Sequence, residues 1–571
     1  MRSLFSPSFR TLHVTLLFAL ALLVRTWRAL QQPVVNPDAI RFIEQARRLA
    51  TDPIGALRGE PYHPLHSLCT LGLHAITGRF FADDRHAWLF SVQSIGILCG
   101  AIVAVQILWF ARAFGAPFWA SLGASLVWIV GRRTSAYGAD GLSDMLFLSL
   151  FAAAILLAIR ACRFRDQFTG RHTLQFLLAG FLAGLAYLTR PEGLAALLIL
   201  IAFLLSALVR TKAPAILQRK LFRRRAESRR HIHPAIVALL VGFALPAAPY
   251  MFIIRGITQK KTLSMSLLSH AHHLPFAIAA AFAPPVNKGI LEKLAMELFE
   301  TFGFGPWLAL IGAMLIAPRL WGRPRLRPLV FIWFCIWTIL MVWLVKHAGY
   351  LDGRHTLPLQ ILLHGLLALA FLKWTKPMRW WMDLWRRNPE AWNRLPSAMR
   401  SPRWPYIFAG GAIFFTLLPG LIRLSTPPQE NLTYVLEAAR WVDEELQPSV
   451  LICDHDRLVG YYSGNPYARW LGTPAKPLLA QVNFAQPHVL AYIFRPGLGE
   501  QPELNIGSYR AFAVFHSAAA THGDLMIFYT LPNTPIMRQG QTPFLTRIES
   551  LNHRDVKPLD AHHEPNDSMI Q

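Results

Sequence analysis

The chain has 571 residues, of which 53% are hydrophobic and only 16% charged, an apolar share above that of ordinary soluble proteins. Its net charge of +25 would suggest a nucleic-acid partner in a soluble protein, but here the basic residues are grouped between apolar segments. This distribution is typical of a membrane protein whose cations orient it and contact membrane lipids, and it argues against nucleic-acid binding.

Apolar runs of membrane-spanning character recur through the first three quarters of the chain. A spanning helix needs about 20 largely apolar residues, and the sequence has several such runs together with shorter ones. The eleven candidates are 12–30, 90–110, 118–130, 144–161, 174–188, 194–209, 235–254, 304–317, 329–345, 357–372 and 406–422. The sequence therefore predicts a polytopic α-helical membrane domain over residues 1–422 with about eleven transmembrane helices.

The longest basic segments set the predicted orientation of the chain. They lie at 210–230, 319–327 and 373–403, which fall on one side of the membrane if the eleven spans are right. The positive-inside rule makes that side cytoplasmic, together with the amino terminus. The large first loop at 31–89 and the carboxy terminus then face the periplasm or the cell exterior. A bacterial inner membrane suits this pattern, with a eukaryotic endomembrane as the alternative.

Two arginines lie near the outer end of the first apolar run. Arg25 and Arg28 flank Trp27 there, and long basic side chains in this position are expected to extend toward the membrane surface. No small-residue cleavage site follows this run, so we expect it to remain as an anchored helix.

The carboxy-terminal part reads as a water-soluble module over residues 423–541. A segment with helical periodicity at 431–446 is followed by strand-like apolar runs at 449–454, 488–495, 509–517 and 524–531. Strands that alternate with helices predict a small α/β domain on the outer face. The polar tail at 542–571 is predicted to be disordered.

The first outer loop opens with "NPDAIRFIEQARRL", which predicts an amphipathic helix with Phe42, Ala46 and Leu49 on one face. Asp38 stands at the start of this helix, where an acid favours the positive helix end. It is therefore either a helix cap or a carboxylate held at the membrane surface as a base.

A second acidic stretch, "SAYGADGLSDMLFL", leads into the fourth apolar run. Asp144 is well placed to cap that helix. An ionisable residue at the end of an apolar run is also a functional candidate, so both interpretations stay open.

The common catalytic signatures are absent from the sequence, which has no P-loop, no GxSxG and no zincin motif. The histidines His63, His66, His270, His272 and His273 have no acidic partner at a ligand spacing. We therefore expect no metal site and no required cofactor, with a divalent metal ion as the alternative.

Five stretches in order resemble the GT-C superfamily of membrane glycosyltransferases, in particular bacterial relatives of protein mannosyltransferases and of the lipid A aminoarabinose transferase. "NPDAIRFIEQARRL" resembles the family's Asp-bearing first outer loop, and "PYHPLHSLCTLGLHAITG" resembles its "YPPLYPLL" segment with His63 and His66 substituted. "SAYGADGLSDMLFLSLFAAAILLA" and "GLAYLTRPEGLAALLILIAFLL" are similar to later segments, and "YLDGRHTLPLQILL" is similar to "GRYLLPLLPLL" with His355 in place of Tyr. Together they cover about residues 10–375.

The resemblance implies inverting transfer of a sugar from a polyprenyl phosphate donor to an acceptor at the outer face. It implies that Asp38 acts as, or helps to position, the base that activates the acceptor nucleophile, and Asp144 is the second catalytic candidate. Arginine is well suited to bind the leaving lipid phosphate. The predicted substrate-binding residues are Arg190, Arg354, His355, Lys346, Tyr62, His63 and His66.

Competing interpretations remain for the two arginines. Arg190 either binds phosphate or pairs with Glu192 in a tight turn, and Arg354 either binds phosphate or anchors in the headgroup region. Two other functions also stay open for the whole chain, a non-catalytic GT-C-like protein that binds lipid-linked sugar or acts as a scaffold, and, less favoured, a transporter. The sequence does not specify the sugar, the polyprenol or the acceptor.

Overall fold

The structure is a computed structural model of the chain. It describes residues 7–32, 34–163, 170–210, 219–259, 288–316, 326–348, 351–387, 401, 403–425, 433–454, 458–465, 467–469, 489–494, 505–506, 509–516 and 525–530. Two compact units divide the chain: a helical unit of Met1–Gln31 and Arg41–Pro428, and a second unit of Gln32–Ile40 and Gln429–Gln571.

Helices account for almost all regular structure before residue 425. The first nine are α1 Pro7–Leu30, α2 Pro37–Thr51, α3 Pro53–Gly59, α4 Leu65–Thr77, α5 Asp84–Phe114, α6 Phe118–Val130, α7 Arg132–Ala139, α8 Asp144–Arg163 and α9 Gly170–Thr189. The next eight are α10 Leu194–Arg210, α11 Arg219–Ile254, α12 Lys288–Phe302, α13 Phe304–Ile316, α14 Arg327–Ala348, α15 Leu357–Lys373, α16 Thr375–Arg386 and α17 Trp404–Arg423. Short 3-10 turns at Gly78–Phe80, Pro191–Gly193 and Gly353–Thr356 join some of them.

Eight helices in the described part of the chain are long and apolar enough to cross a membrane, or nine if one bent pair counts as a single span. The bent pair, Glu292–Phe302 with Phe304–Leu315, turns by 102°. Gly303, with φ at +87°, occupies this turn in a backbone region that favours glycine. Two shorter apolar helices, Phe118–Val130 and Pro191–Ser206, complete the set. Every one of the eleven predicted runs overlaps these helices, and the polytopic α-helical class is confirmed.

Helices α9 and α11 approach each other closely because glycines line their contact. A Cβ added to Gly180 would lie 2.0 Å from the carbonyl oxygen of Leu239, and one added to Gly184 would lie 2.6 Å from that of Phe243. Gly242 on α11 makes the reciprocal contact, 2.0 Å from the carbonyl oxygen of Leu177. This G-x-x-x-G spacing lets two backbones pack without intervening side chains, which is a common way for membrane helices to associate.

Replacing Gly180 with Val is expected to destabilise the chain by about 1–3 kcal/mol, because the added methyl groups force α9 away from α11. The matched control is Gly410→Val on α17, where an added Cβ has no heavy atom within 4 Å. Denaturant unfolding in one detergent gives the unfolding midpoints of both variants and of the wild type. Equal unfolding midpoints for the two would contradict close packing at Gly180.

The expectation that Arg25 and Arg28 extend to the membrane surface is wrong. Arg25 is fully buried and Arg28 is 3% exposed. The Arg25 side chain lies against Gly100 of α5 and Gly138 of α7, where an added Cβ would come within 2.3 Å and 2.7 Å of Nε. Its Nη1 donates to the carbonyl oxygen of Ala21 at 3.3 Å. Two glycines on neighbouring helices therefore make room for this side chain inside the protein.

The second unit contains a six-stranded mixed sheet with two helices, α18 Thr433–Glu445 and α19 Leu458–Ser463. Its strands are β1 Ile452–Asp454, β2 Tyr467–Arg469, β3 Val489–Phe494, β4 Asn505–Ile506, β5 Tyr509–His516 and β6 Leu525–Thr530, in the order β2-β1-β3-β6-β5-β4. Strand β1 is parallel to β2 and β3, and the other neighbours are antiparallel.

The register of the sheet places Cys453 opposite Ala468 and Leu490. From α18, the Trp441 ring lies 5.5 Å from that of Phe528 on β6. The α/β class predicted for the carboxy-terminal module is confirmed, and the four predicted strand-like runs coincide with β1, β3, β5 and β6. The predicted disordered tail at 542–571 lies outside the described residues.

Candidate active site

A buried ion pair joins the beginning of α8 to the end of α9. Asp144 is the first residue of α8, and its Oδ1 accepts a hydrogen bond from Nη1 of Arg190. Arg190 has extended backbone between α9 and the 3-10 turn that begins at Pro191. Its Nη2 also lies 3.4 Å from Oε1 of Glu192. The predicted Arg190–Glu192 pair is therefore present, and Arg190 in addition reaches an acid 46 residues away.

The side chains of this ion pair and of Glu192 are almost completely shielded from solvent. The side chains of Asp144, Arg190 and Glu192 are 2%, 10% and 11% exposed. Burial would lower the pKa of Arg190, but the Asp144 and Glu192 carboxylates raise it, so the guanidinium stays charged. Asp144 Oδ2 is buried and has no hydrogen-bond partner among the described residues. One oxygen of a buried carboxylate is thus left as an acceptor.

A second acid–arginine pair, Asp352 and Arg354, lies close enough to interact electrostatically with the first. Arg354 Nε lies 3.2 Å from Asp352 Oδ2, and its charge acts on both Asp144 and Arg190. The Tyr137 hydroxyl of α7 donates to Asp352 Oδ1 at 3.0 Å. Burial would raise the pKa of Asp352, but the Arg354 guanidinium and backbone N–H lower it overall. The site therefore brings three carboxylates and two guanidinium groups together.

Helix α12 is held to the same region through Arg133 of α7. Nη1 and Nη2 of Arg133 pair with the carboxylates of Glu297 and Glu300, which are three residues apart on one helix face. The backbone at Gly353 passes so close that an added Cβ would lie 2.2 Å from Arg133 Nη1. Arg133 therefore lies between α12 and the 3-10 turn that carries Arg354.

Two of the remaining predicted residues have different surroundings. His355 is 7% exposed, and its ring nitrogen Nδ1 lies 3.2 Å from the backbone nitrogen of Asp352, which completes a capping box on the 3-10 turn. Its backbone carbonyl accepts from Trp337 Nε1 at 2.8 Å. Lys346 is exposed near the carboxyl end of α14. A phosphate contact for either remains a prediction.

The "PYHPLH" residues are largely inside the helical unit. His63 and His66 are 2% and 0% exposed and bond to backbone carbonyl groups, and Tyr62 is partly buried with its hydroxyl bonded to Arg41. Among the described residues, no group of three or more His, Cys, Asp and Glu side chains is arranged to hold a metal ion. The predicted histidine group at 270, 272 and 273 lies outside the described residues.

Asp38 belongs to the second unit. Asn36 Oδ1 accepts from the Asp38 backbone N–H at 3.0 Å, so Asn36 supplies a cap to the helix that begins at Pro37. The Asp38 side chain is partly buried. In the same unit, the Val35 backbone N–H donates to the Tyr462 hydroxyl at 3.0 Å. Tyr462 thereby holds the segment that leads to Asp38.

Sequence reasoning missed Asp352 and Tyr137. Asp352 is next to a residue of the "GRHT" motif, and an acid two positions before a candidate phosphate-binding arginine was an available signal. Tyr137 gave none, because its partner Asp352 is 215 residues away.

Comparison with protein-family profiles and with curated protein sequences finds no match. Solved structures do match. ArnT from Cupriavidus metallidurans bound to undecaprenyl phosphate has a TM-score of 0.52 at 14% identity, over 92% of this chain and 98% of that one. The Archaeoglobus fulgidus oligosaccharyltransferase tethered with an acceptor peptide has a TM-score of 0.51 at 12% identity, over 94% and 76% of the two chains.

A third match is the Archaeoglobus fulgidus oligosaccharyltransferase AglB in complex with an inhibitory peptide and a dolichol-phosphate. Its TM-score is 0.51 at 14% identity, over 85% of this chain and 70% of that one. The chain is therefore an integral membrane protein that shares the fold of ArnT and of the Archaeoglobus fulgidus oligosaccharyltransferase.

Proposed function

We propose that the chain is a glycosyltransferase that moves a sugar from a polyprenyl phosphate donor to an acceptor at the outer face of the membrane. The cluster of Asp144, Arg190, Asp352 and Arg354, in which the Asp144–Arg190 pair is buried, carries this proposal within a GT-C-like fold. Two of the solved neighbours hold undecaprenyl phosphate or dolichol-phosphate, which supports a donor of this chemical class.

The cations of the cluster match the charge that develops in such a transfer. When the bond between the anomeric carbon and the phosphate oxygen breaks, its electron pair stays on the lipid phosphate. Fixed guanidinium groups stabilise that charge strongly in a site from which water is excluded. Arg190 is 10% exposed and Arg354 21%, so both have the low exposure that this role requires.

The acidic residues supply the proton acceptor. In the proposed step, an Asp carboxylate takes the proton of the acceptor nucleophile, which attacks the anomeric carbon from the side opposite the phosphate and inverts it. Asp38 is the first candidate for this base, because Asn36 already caps its helix. Asp144 is the second, because its Oδ2 is left as an acceptor. The proposal requires no resident metal ion.

The deciding experiment uses the purified full chain in nanodiscs with undecaprenyl phosphate carrying mannose, glucose or aminoarabinose. Release of undecaprenyl phosphate together with a glycosylated acceptor, from a panel of glycan, lipid and peptide acceptors, supports the enzyme. Donor binding without release would instead favour a lipid-sugar binding protein. Net movement of the intact donor across the bilayer would favour a transporter.

Removing the Tyr462 hydroxyl is expected to loosen the segment that precedes Asp38. Burial raises the pKa of Tyr462 to about 12, although the hydrogen bond from Val35 lowers it, so the hydroxyl is neutral near pH 7. Tyr462→Phe leaves the buried Val35 N–H unpaired at a cost of about 1–3 kcal/mol. Amide hydrogen exchange at Val35 should accelerate at least fivefold. The control Tyr406→Phe, on α17, should leave that exchange unchanged.

A further inference from the structure

Two histidines of one short segment bond to the backbone just before the two partners of the buried ion pair. His66 Nε2 lies 3.0 Å from the carbonyl oxygen of Gly141, which is three residues before Asp144. His63 Nδ1 lies 2.6 Å from the carbonyl oxygen of Tyr187, which is three residues before Arg190. The stretch 62–67, which leads from the end of α3 into the first turn of α4, therefore contacts both chain segments that meet in the pair.

The hydrogen bonds identify the donor nitrogen of each ring. A carbonyl oxygen only accepts, so His66 Nε2 and His63 Nδ1 each carry a hydrogen. The other nitrogen of His63, Nε2, lies 3.3 Å from the Thr258 hydroxyl. His66 Nδ1 is buried without a hydrogen-bond partner in the described residues, and burial lowers the pKa of His66 to about 4. Protonation of His66 near pH 7 would bury an unpaired charge.

The segment itself is fixed to helix α2. Gln45, which is 1% exposed, donates through Nε2 to the carbonyl oxygen of Tyr62 at 2.9 Å. Its Oε1 accepts from Ser67 Oγ at 2.7 Å, so one side chain holds both ends of the six-residue stretch. The Phe42 ring lies 4.7 Å from that of His66, nearly perpendicular to it. Gln45 therefore holds the stretch that carries both histidines against helix α2.

The chain near Asp144 needs such support. The turn before α8 passes through Gly141 with φ at +69°, and Arg190 has extended backbone after α9 ends. Asp144 begins α8 directly after this turn and Arg190 follows the end of α9, so both partners lie at helix ends. Groups that act together in catalysis lose rate steeply when their spacing shifts by about 1 Å.

We propose that His63 and His66 are positioning residues, which hold Asp144 and Arg190 at the spacing that the proposed transfer reaction requires. The inference rests on the proposed function. It assigns the histidines to backbone support of the ion pair, in place of direct contact with the substrate or a metal ion.

The test compares variants that keep or remove each donor in the full chain in nanodiscs. His66→Gln and His63→Asn place an amide N–H near the original donor nitrogen, whereas His66→Leu and His63→Leu remove it. We expect each Leu variant to lower kcat by about 10- to 100-fold with donor KM within about threefold. The amide variants His66→Gln and His63→Asn should have kcat values close to that of the wild type. His74→Leu is the matched control and should retain kcat. His74 is also in α4, where its ring stacks on that of Trp88 from α5.

A second variant pair separates support from substrate contact. If His66 acts through Asp144, His66→Leu lowers kcat much less in an Asp144→Asn background than in the wild type. Equal losses in both backgrounds, a rise in donor KM alone, or no recovery with the amide variants would overturn the proposal.

The two hypotheses also fail in different ways. If wild-type protein transfers no sugar from any donor, the proposed function fails. The unfolding midpoints of the same variants then test whether His66 supports the position of Asp144. Non-additive shifts between His66→Leu and Asp144→Asn support it, and additive shifts overturn it.

Discussion

Asp38→Asn is expected to slow sugar transfer by about 10²–10⁴-fold while the chain remains folded, since a positioned base contributes a factor of this size. An amide has nearly the shape of a carboxylate but does not accept the proton of the acceptor nucleophile. The helix cap survives, because Asn36 supplies it through the Asp38 backbone N–H. Donor binding should therefore persist.

The measurement is single-turnover transfer from undecaprenyl phosphate sugar by wild type and variant in nanodiscs. Asp383→Asn is the control, because Asp383 is 64% exposed and pairs only loosely with Arg386, at 3.6 Å, on helix α16. Transfer that survives Asp38→Asn within threefold would reject Asp38 as the base. Asp144→Asn is then the variant to compare under the same conditions.

Arg190→Gln is expected to destabilise the helical unit by about 3–5 kcal/mol, because it leaves Asp144 buried without its cationic partner. Asp144→Asn should cost less, since Arg190 keeps Glu192 at 3.4 Å. The double variant should cost less than the sum of the two single losses, because it also removes the buried Asp144 charge that Arg190→Gln alone leaves without its cation. The predicted order of stability is thus specific to this three-residue arrangement.

Denaturant unfolding in one detergent, monitored by tryptophan fluorescence, gives the four free energies of unfolding. Arg48→Gln is the matched control, because Arg48 is 63% exposed and its pair with Glu60 lies at the surface. A cycle in which the two single losses add within about 0.5 kcal/mol would show that Asp144 and Arg190 are not coupled.

Local patterns in the sequence determined the class and the elements of this protein. Apolar length alone predicted the spanning helices, because the hydrocarbon layer fixes how many residues must be apolar. The β-rich runs that became β3, β5 and β6 were equally local signals. The motif around Arg190 also predicted its pair with Glu192, since donor and acceptor are only two positions apart in the chain. The amphipathic helix at Asp38 followed from periodicity.

Tertiary structure alone decided the site. Asp144 and Arg190 are 46 residues apart, and Tyr137 and Asp352 are 215 apart, so no local pattern links them. Arg25 is a second example of this limit. Its place in the sequence predicted a side chain at the membrane surface, but Gly100 and Gly138 on other helices leave the space in which it is buried. Sequence fixes periodicity and length along one helix, whereas the neighbours of a side chain depend on how separate helices pack.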